Sequence, residues 1–199
     1  METGIEGLPD EVPERDPTGE EENESMTARQ KNFRAAAETV ARALADIPAV
    51  EKVTLFGSVA VPLWKEVPRF QPFKRMGIEL LHECKDVDLA VWVSDMAVLK
   101  SLQKARGQAL NALMRGKNIG VAHHQVDVFI MEPGTDRFLG NLCLFKVCPK
   151  GNADCRAGGC GTVPYLKRYD GFQFQADALA PGKSIILFER HPGMSYVKP

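Results

Sequence analysis

Apolar positions recur along this chain with two periods. Between residues 26 and 47, Phe33, Ala36, Ala37, Val40, Leu44 and Ile47 return every three or four residues. That spacing predicts an amphipathic helix, closed by Pro48. Residues 52–56 (Lys-Val-Thr-Leu-Phe) predict a short strand that runs directly into Gly57-Ser58. The β-branched run Val87–Val93 predicts a second strand. Met96, Leu99, Leu102, Ala109 and Leu113 predict a helix over 95–115. Residues 125–130 (Gln-Val-Asp-Val-Phe-Ile) predict a third strand, and residues 184–188 a last one.

Strand, helix and strand in alternation argue for an α/β (α+β) fold with helices packed on a sheet. Residues 59–85 carry Pro62, Pro68 and Pro72 and are expected to form short helical turns and loop. After Pro133 the pattern changes. Residues 141–176 hold a cysteine cluster and then an expected hairpin, with Asp170-Gly171 suited to its turn. The predicted organisation is an acidic, disordered leader (1–25), an α/β domain (26–140) and a small Cys-rich C-terminal element (141–199).

Charge sharpens this division. Residues 1–25 hold ten acidic residues and one arginine, while the whole chain has a net charge of -1. Residues 26–199 therefore carry 16 acidic and 24 basic residues, a net +8. A basic body facing an acidic leader suits an anionic ligand such as a nucleotide or nucleic acid, and equally suits simple solubility. The leader cannot bury enough apolar surface to repay its own ordering. No run approaches the roughly 20 apolar residues of a membrane span. The leader also lacks a signal-peptide layout. A cytoplasmic protein without a membrane partner is expected.

Candidate chemistry gathers on the strands. Asp86 and Asp88 open the strand at Val87, where residues i and i+2 share a face. Asp127 interrupts the strand at 125–130 in the same way. If the two strands are neighbours, three carboxylates converge. Like charges about 4 Å apart repel by about 4 kcal/mol at an effective dielectric of 20. Such a cluster either takes up protons or binds a hard cation, and carboxylates with phosphate oxygens suit Mg²⁺. Gly57 allows close backbone approach to a phosphate, and Ser58 adds a hydroxyl donor.

At Leu55-Phe56-Gly57-Ser58, Lys85-Asp86-Val87-Asp88-Leu89 and Val126-Asp127-Val128, the chain resembles the nucleotidyltransferase superfamily that includes DNA polymerase beta. The resemblance covers roughly residues 30–132. It implies a mixed β-sheet flanked by helices and Mg²⁺- or Mn²⁺-dependent transfer of a nucleotidyl group from a nucleoside triphosphate, with pyrophosphate released. By that likeness Asp86 and Asp88 bind the catalytic metal and triphosphate. Asp127 binds a second metal and helps deprotonate the acceptor hydroxyl, and Gly57 and Ser58 hold the β- and γ-phosphates. Acceptors in the superfamily include proteins, RNA ends and small molecules, and small members also serve as antitoxin-like partners.

Four cysteines follow as Cys143-x4-Cys148-x6-Cys155-x4-Cys160. The glycine-rich segment between them has little to pack. A structural Zn²⁺ held by these four thiolates would order it. His82, His123 or His124 could replace Cys143, which could instead belong to the core. A zinc-stabilised nucleic-acid-binding module with a vestigial transferase site is the alternative this cluster raises. Two segments mix aromatic and basic residues: Trp64 to Arg75, which lies between the motifs, and Tyr165 to Phe174. Either composition serves base stacking, and either serves ordinary packing.

Overall fold

The computed structural model describes residues 19–69, 71–144, 163–168 and 171–190. Helix α1 (Gly19–Ala45) packs Phe33, Ala36, Ala37, Val40, Ala41 and Leu44 against the sheet. It begins seven residues before the predicted start. Glu20, Glu21 and Glu22 in its first turn complement the helix dipole. The Asn23 side chain, from within the supposed leader, accepts a hydrogen bond from the Leu81 backbone N–H at 2.6 Å. Charge composition alone hid this tertiary anchor. Residues 1–18 lie outside the described residues.

Strand β1 (Val50–Phe56) follows a tight turn at Pro48. The predicted loop between Gly57 and Asp86 contains a two-stranded ribbon, β2 (Lys65–Glu66) with β3 (Leu80–Leu81), and the short helix α2 (Gln71–Met76). Strand β4 (Val87–Val93) leads through a 3-10 turn at Met96–Val98 into helix α3 (Leu99–Lys117). Asp95 caps that turn by accepting from the Ala97 N–H at 2.8 Å. Asn118, in the left-handed region at φ 53°, closes α3.

Strand β5 (Val126–Met131) returns parallel to β4, as a helical crossover permits. Strands β6 (Phe138–Leu142), β7 (Leu166–Lys167) and β8 (Ile185–Glu189) complete a six-stranded sheet in the order β7-β6-β5-β4-β1-β8. Every neighbouring pair except β4–β5 is antiparallel. The sheet is thus mixed, with helices on it, in the coarse α/β class expected. The boundary placed at 140 falls inside β6, and β7 and β8 join the same sheet.

The two faces of the sheet differ. Val53, Leu55, Leu89, Val91, Val128 and Ile130 pack under α1 and α3 in the main core. Phe56, Ala90, Trp92 and Met131 lie on the other face, against Phe129, Phe138, Phe174 and Leu179. The expected strand after Gly171 is not formed. Residues 172–175 run without strand pairing into a 3-10 turn at Ala176–Leu179. Apolar burial wins over pairing there: the Phe174 ring sits 5.6 Å from Phe56 and 5.9 Å from Phe129. Asp170 lies outside the described residues.

Arg190 ties the end of β8 to the end of α1. Its Nη2 donates to the carbonyl of Ala45 at 2.9 Å, and its Nε donates to Val50 at 3.1 Å. Carbonyls at a helix C-terminus have no intrahelical partner, and a cation satisfies both their hydrogen bonding and the dipole. Replacing Arg190 with Met keeps much of the stem and removes the donors. The expected cost is about 1–3 kcal/mol, read as a lower urea midpoint with an unchanged slope. An unchanged midpoint would mean that water serves these carbonyls equally well.

Candidate active site

The antiparallel pairing of β1 with β4 sets Phe56 opposite Asp88, and the parallel pairing of β4 with β5 sets Asp88 opposite Asp127. Asp88 and Asp127 therefore stand side by side, on the sheet face away from α1 and α3. Asp86, exposed just before β4, adds its charge to both. Burial, then Asp127, then Asp86 push the Asp88 carboxyl up to about 7. Burial and Asp86 also raise Asp127, while Arg106 and Lys167 pull it back. The three sequence-predicted carboxylates thus share one electrostatic environment. Among the described residues, no set of three or more His, Cys, Asp or Glu side chains is drawn together as a metal-holding group.

Gly57 completes the corner. It adopts φ +75°, and a Cβ placed on it would lie 2.5 Å from Asp88 Oδ2. The absent side chain is what lets the β1 end and the Asp88 carboxylate approach. No helix begins at Ser58. Instead the Ala60 N–H donates to the Gly57 carbonyl at 3.1 Å, which closes a single turn.

Two side chains of α1 hold this turn. Gln30 Nε2 donates to the carbonyls of Ser58 at 3.2 Å and Val61 at 2.8 Å. Arg34 Nε donates to Val59 at 2.9 Å. Sequence reasoning missed both residues. Their only signal was polar character at i and i+4 beside the apolar stripe of α1. Burial pushes the Cys84 thiol up, and Ser58 opposes that shift.

Arg106 was missed as well. It is fully buried on α3, with Nη1 3.5 Å from the Val126 carbonyl. Its Nε and Nη2 have no partner among the described residues. Burial lowers this guanidinium from its ordinary value, and the nearby Asp127 charge opposes the shift.

Other candidates fall elsewhere. His82 stacks on Trp64 at 3.8 Å, with its Nδ1 3.1 Å from Glu66 Oε1. His123 sits in the turn before β5 against Gly107 of α3, and His124 is exposed. Cys143 is buried just after β6, its N–H donating to the Tyr165 carbonyl at 2.8 Å. Cys148, Cys155, Cys160 and Phe70 lie outside the described residues, and with them most of the expected zinc site. No helix among the described residues is long and apolar enough to cross a membrane.

Comparison with known protein families, with curated proteins and with solved structures gives no match to this chain.

Proposed function

We propose that the chain is a metal-dependent nucleotidyltransferase that moves a nucleotidyl group from a nucleoside triphosphate to an acceptor hydroxyl, releasing pyrophosphate. The observation that carries this reading is the Asp88–Asp127 pair, in register on neighbouring parallel strands, with Asp86 beside it and Gly57 against Asp88. Carboxylates held half-buried against one another are destabilised by burial and mutual repulsion. A divalent cation relieves both effects, and the all-oxygen donor set suits Mg²⁺ or Mn²⁺. Asp86, Asp88 and Asp127 would hold it. When bound, the cation would supply positive charge to the phosphate oxygens.

The chain's own residues do the rest. Gly57 lets the Asp88 carboxylate lie against the end of β1. The turn at Gly57-Ser58, braced by Gln30 and Arg34, offers backbone N–H groups and the Ser58 hydroxyl to the terminal phosphates. Asp127 is placed to accept the proton of the acceptor hydroxyl. Burial around Asp88 and Asp127 limits access of bulk water, which strengthens each charge interaction.

Incubation with α-labelled nucleoside triphosphates, Mg²⁺ and cell extract tests the proposal. Label is expected to pass to a protein, RNA or small-molecule fraction, with stoichiometric pyrophosphate. Chelation by EDTA is expected to reduce transfer to background. Transfer that persists in EDTA, or a protein that labels nothing while remaining folded, would count against it.

A further inference from the structure

The β2–β3 ribbon, which joins Gly57-Ser58 to Asp86 along the chain, holds one large ring in place without covering it. The His82 N–H donates to the Trp64 carbonyl at 2.7 Å, which extends the β2–β3 pairing by one step and sets Trp64 opposite His82. Residues opposite one another across a ladder share a face. The two rings stack, with centroids 3.8 Å apart and planes 17° from parallel. The indole N–H donates to Glu66 Oε2 at 3.2 Å, and Glu66 Oε1 lies 3.1 Å from His82 Nδ1. Trp64 is thereby fixed in orientation with one face on His82, yet it remains 45% exposed.

Charge around this ring is one-sided. Residues 64–82 hold four cations, Lys65, Arg69, Lys74 and Arg75, and two acids, Glu66 and Glu79. All four cations are exposed, and none forms an ion pair among the described residues. Glu66 is taken up by Trp64 and His82. Val67 and Met76 of the same segment are exposed as well. A peptide would use that apolar surface, but four cations call for a partner that is negative along its length. A fixed ring with an open face among such cations takes a base by stacking and the adjoining phosphates by charge. The ribbon is also tied to the carboxylates. His82 stands four residues before Asp86, so the two are at most about 14 Å apart along the chain.

We infer that the β2–β3 ribbon docks a single-stranded nucleic acid whose terminal hydroxyl is the acceptor. A base stacks on the open face of Trp64, and Lys65, Arg69, Lys74 and Arg75 supply the charge for the phosphates. The end of the strand then lies within reach of Asp86, Asp88 and Asp127. Its hydroxyl oxygen bonds the α-phosphorus of the nucleoside triphosphate, the bond from that phosphorus to the bridging oxygen breaks, pyrophosphate leaves, and the hydroxyl proton passes to Asp127. This rests on the nucleotidyltransferase reading and names its acceptor class.

Tryptophan fluorescence tests the assignment, because the other tryptophan, Trp92, is buried with its N–H on the Thr135 carbonyl. The full chain is titrated with single strands of RNA and of DNA about 12 nucleotides long, and with an abasic strand of equal charge. A base-bearing strand is expected to quench the emission, and the abasic strand to leave it unchanged. Trp64→Ala is expected to weaken the base-bearing strand about tenfold and to leave the abasic strand unchanged. Trp64→Phe keeps a ring on His82, so it is expected to hold most of the affinity while losing the quench; it decides the matter where the alanine variant alters the melting curve. Replacing Arg69, Lys74 and Arg75 together with Met is expected to weaken both kinds of strand and to flatten the salt dependence. With Mg²⁺ and an α-labelled nucleoside triphosphate, the bound strand is expected to gain label at its end. Wild-type affinity for the base-bearing strand in Trp64→Ala, or label that passes to a protein while no strand is bound, overturns the inference and leaves the transferase reading standing. A strand that binds while label passes to no fraction overturns the transferase reading and the acceptor role together.

Discussion

Asp88→Asn is expected to abolish nucleotidyl transfer and, at neutral and alkaline pH, to make the protein more stable. The catalytic loss follows from removing a charged oxygen from the proposed metal-holding set. With a cation bound, such a set would contribute several kcal/mol of transition-state charge stabilisation, on the order of 10³-fold in rate. The gain in stability follows from the same geometry. Asp88 titrates near 3.8 when unpartnered and near 7 in the folded chain. Between these values the folded state keeps a proton that the unfolded state has released. For this group, folding stability is therefore greatest below about pH 4, falls as pH rises toward 7, and stays low above it. At 1.36 kcal/mol per unit the penalty is at most about 4 kcal/mol, and solvent access reduces it. Asparagine cannot ionise, so the variant escapes the penalty. Its advantage should be about 1–3 kcal/mol at pH 8 and should vanish at pH 4. Urea melts at the two pH values, with pyrophosphate release measured alongside, decide the matter. Full activity of Asp88→Asn would end the catalytic assignment. An equal advantage at both pH values would show that burial, and not ionisation, sets the effect.

The same pair of aspartates shows where sequence stops informing structure. Strand β4 was legible because seven residues, mostly β-branched or apolar, have few alternatives to a buried strand. Strand β5 was legible for the same reason, and Asp127 stood out as its one charge. Their adjacency was only conditional in the sequence. It became definite when α3 proved long enough to carry the chain back parallel, with Asp88 opposite Asp127. Strand β6 was not legible. Gly140 and Asn141 interrupt its apolar pattern, and Gly140 is there because β7 comes too close for a side chain. A Cβ on Gly140 would lie 2.8 Å from the Lys167 carbonyl. The first turns of α1 were illegible for a different reason. A run of glutamates reads as solvated charge, and only the distant Leu81 N–H explains why Asn23 is held. Gln30, Arg34 and Arg106 belong to the same class. Each serves a backbone carbonyl at least 20 residues away, and periodicity within one helix carries no trace of such a partner. The hairpin after Gly171 failed because Phe172 and Phe174 find more apolar surface on the sheet face than a two-stranded ribbon offers.

Gly57→Ala is expected to damage the site through Asp88, and the coupling between the two positions is the measurement that matters. Two costs act at once. The residue sits at φ +75°, where a side chain costs about 1–2 kcal/mol. The new Cβ would also lie 2.5 Å from Asp88 Oδ2, inside van der Waals contact, so the carboxylate must turn away. With its carboxylate turned away from that of Asp127, Asp88 is lost to the proposed metal-holding set, and binding of Mg²⁺-nucleotide should fall tenfold or more with the fold retained. Asp88→Ala removes the oxygen that the Cβ meets. Its own Cβ is 3.7 Å from the added atom, an ordinary contact. In that background Gly57→Ala should cost only the backbone strain. A double-mutant cycle by urea melts is therefore expected to show a coupling of about 1 kcal/mol or more, well above the scatter between independent sites. Strict additivity would mean that the carboxylate already lies clear of Gly57. The close approach of β1 to Asp88 would then have no part in shaping the site.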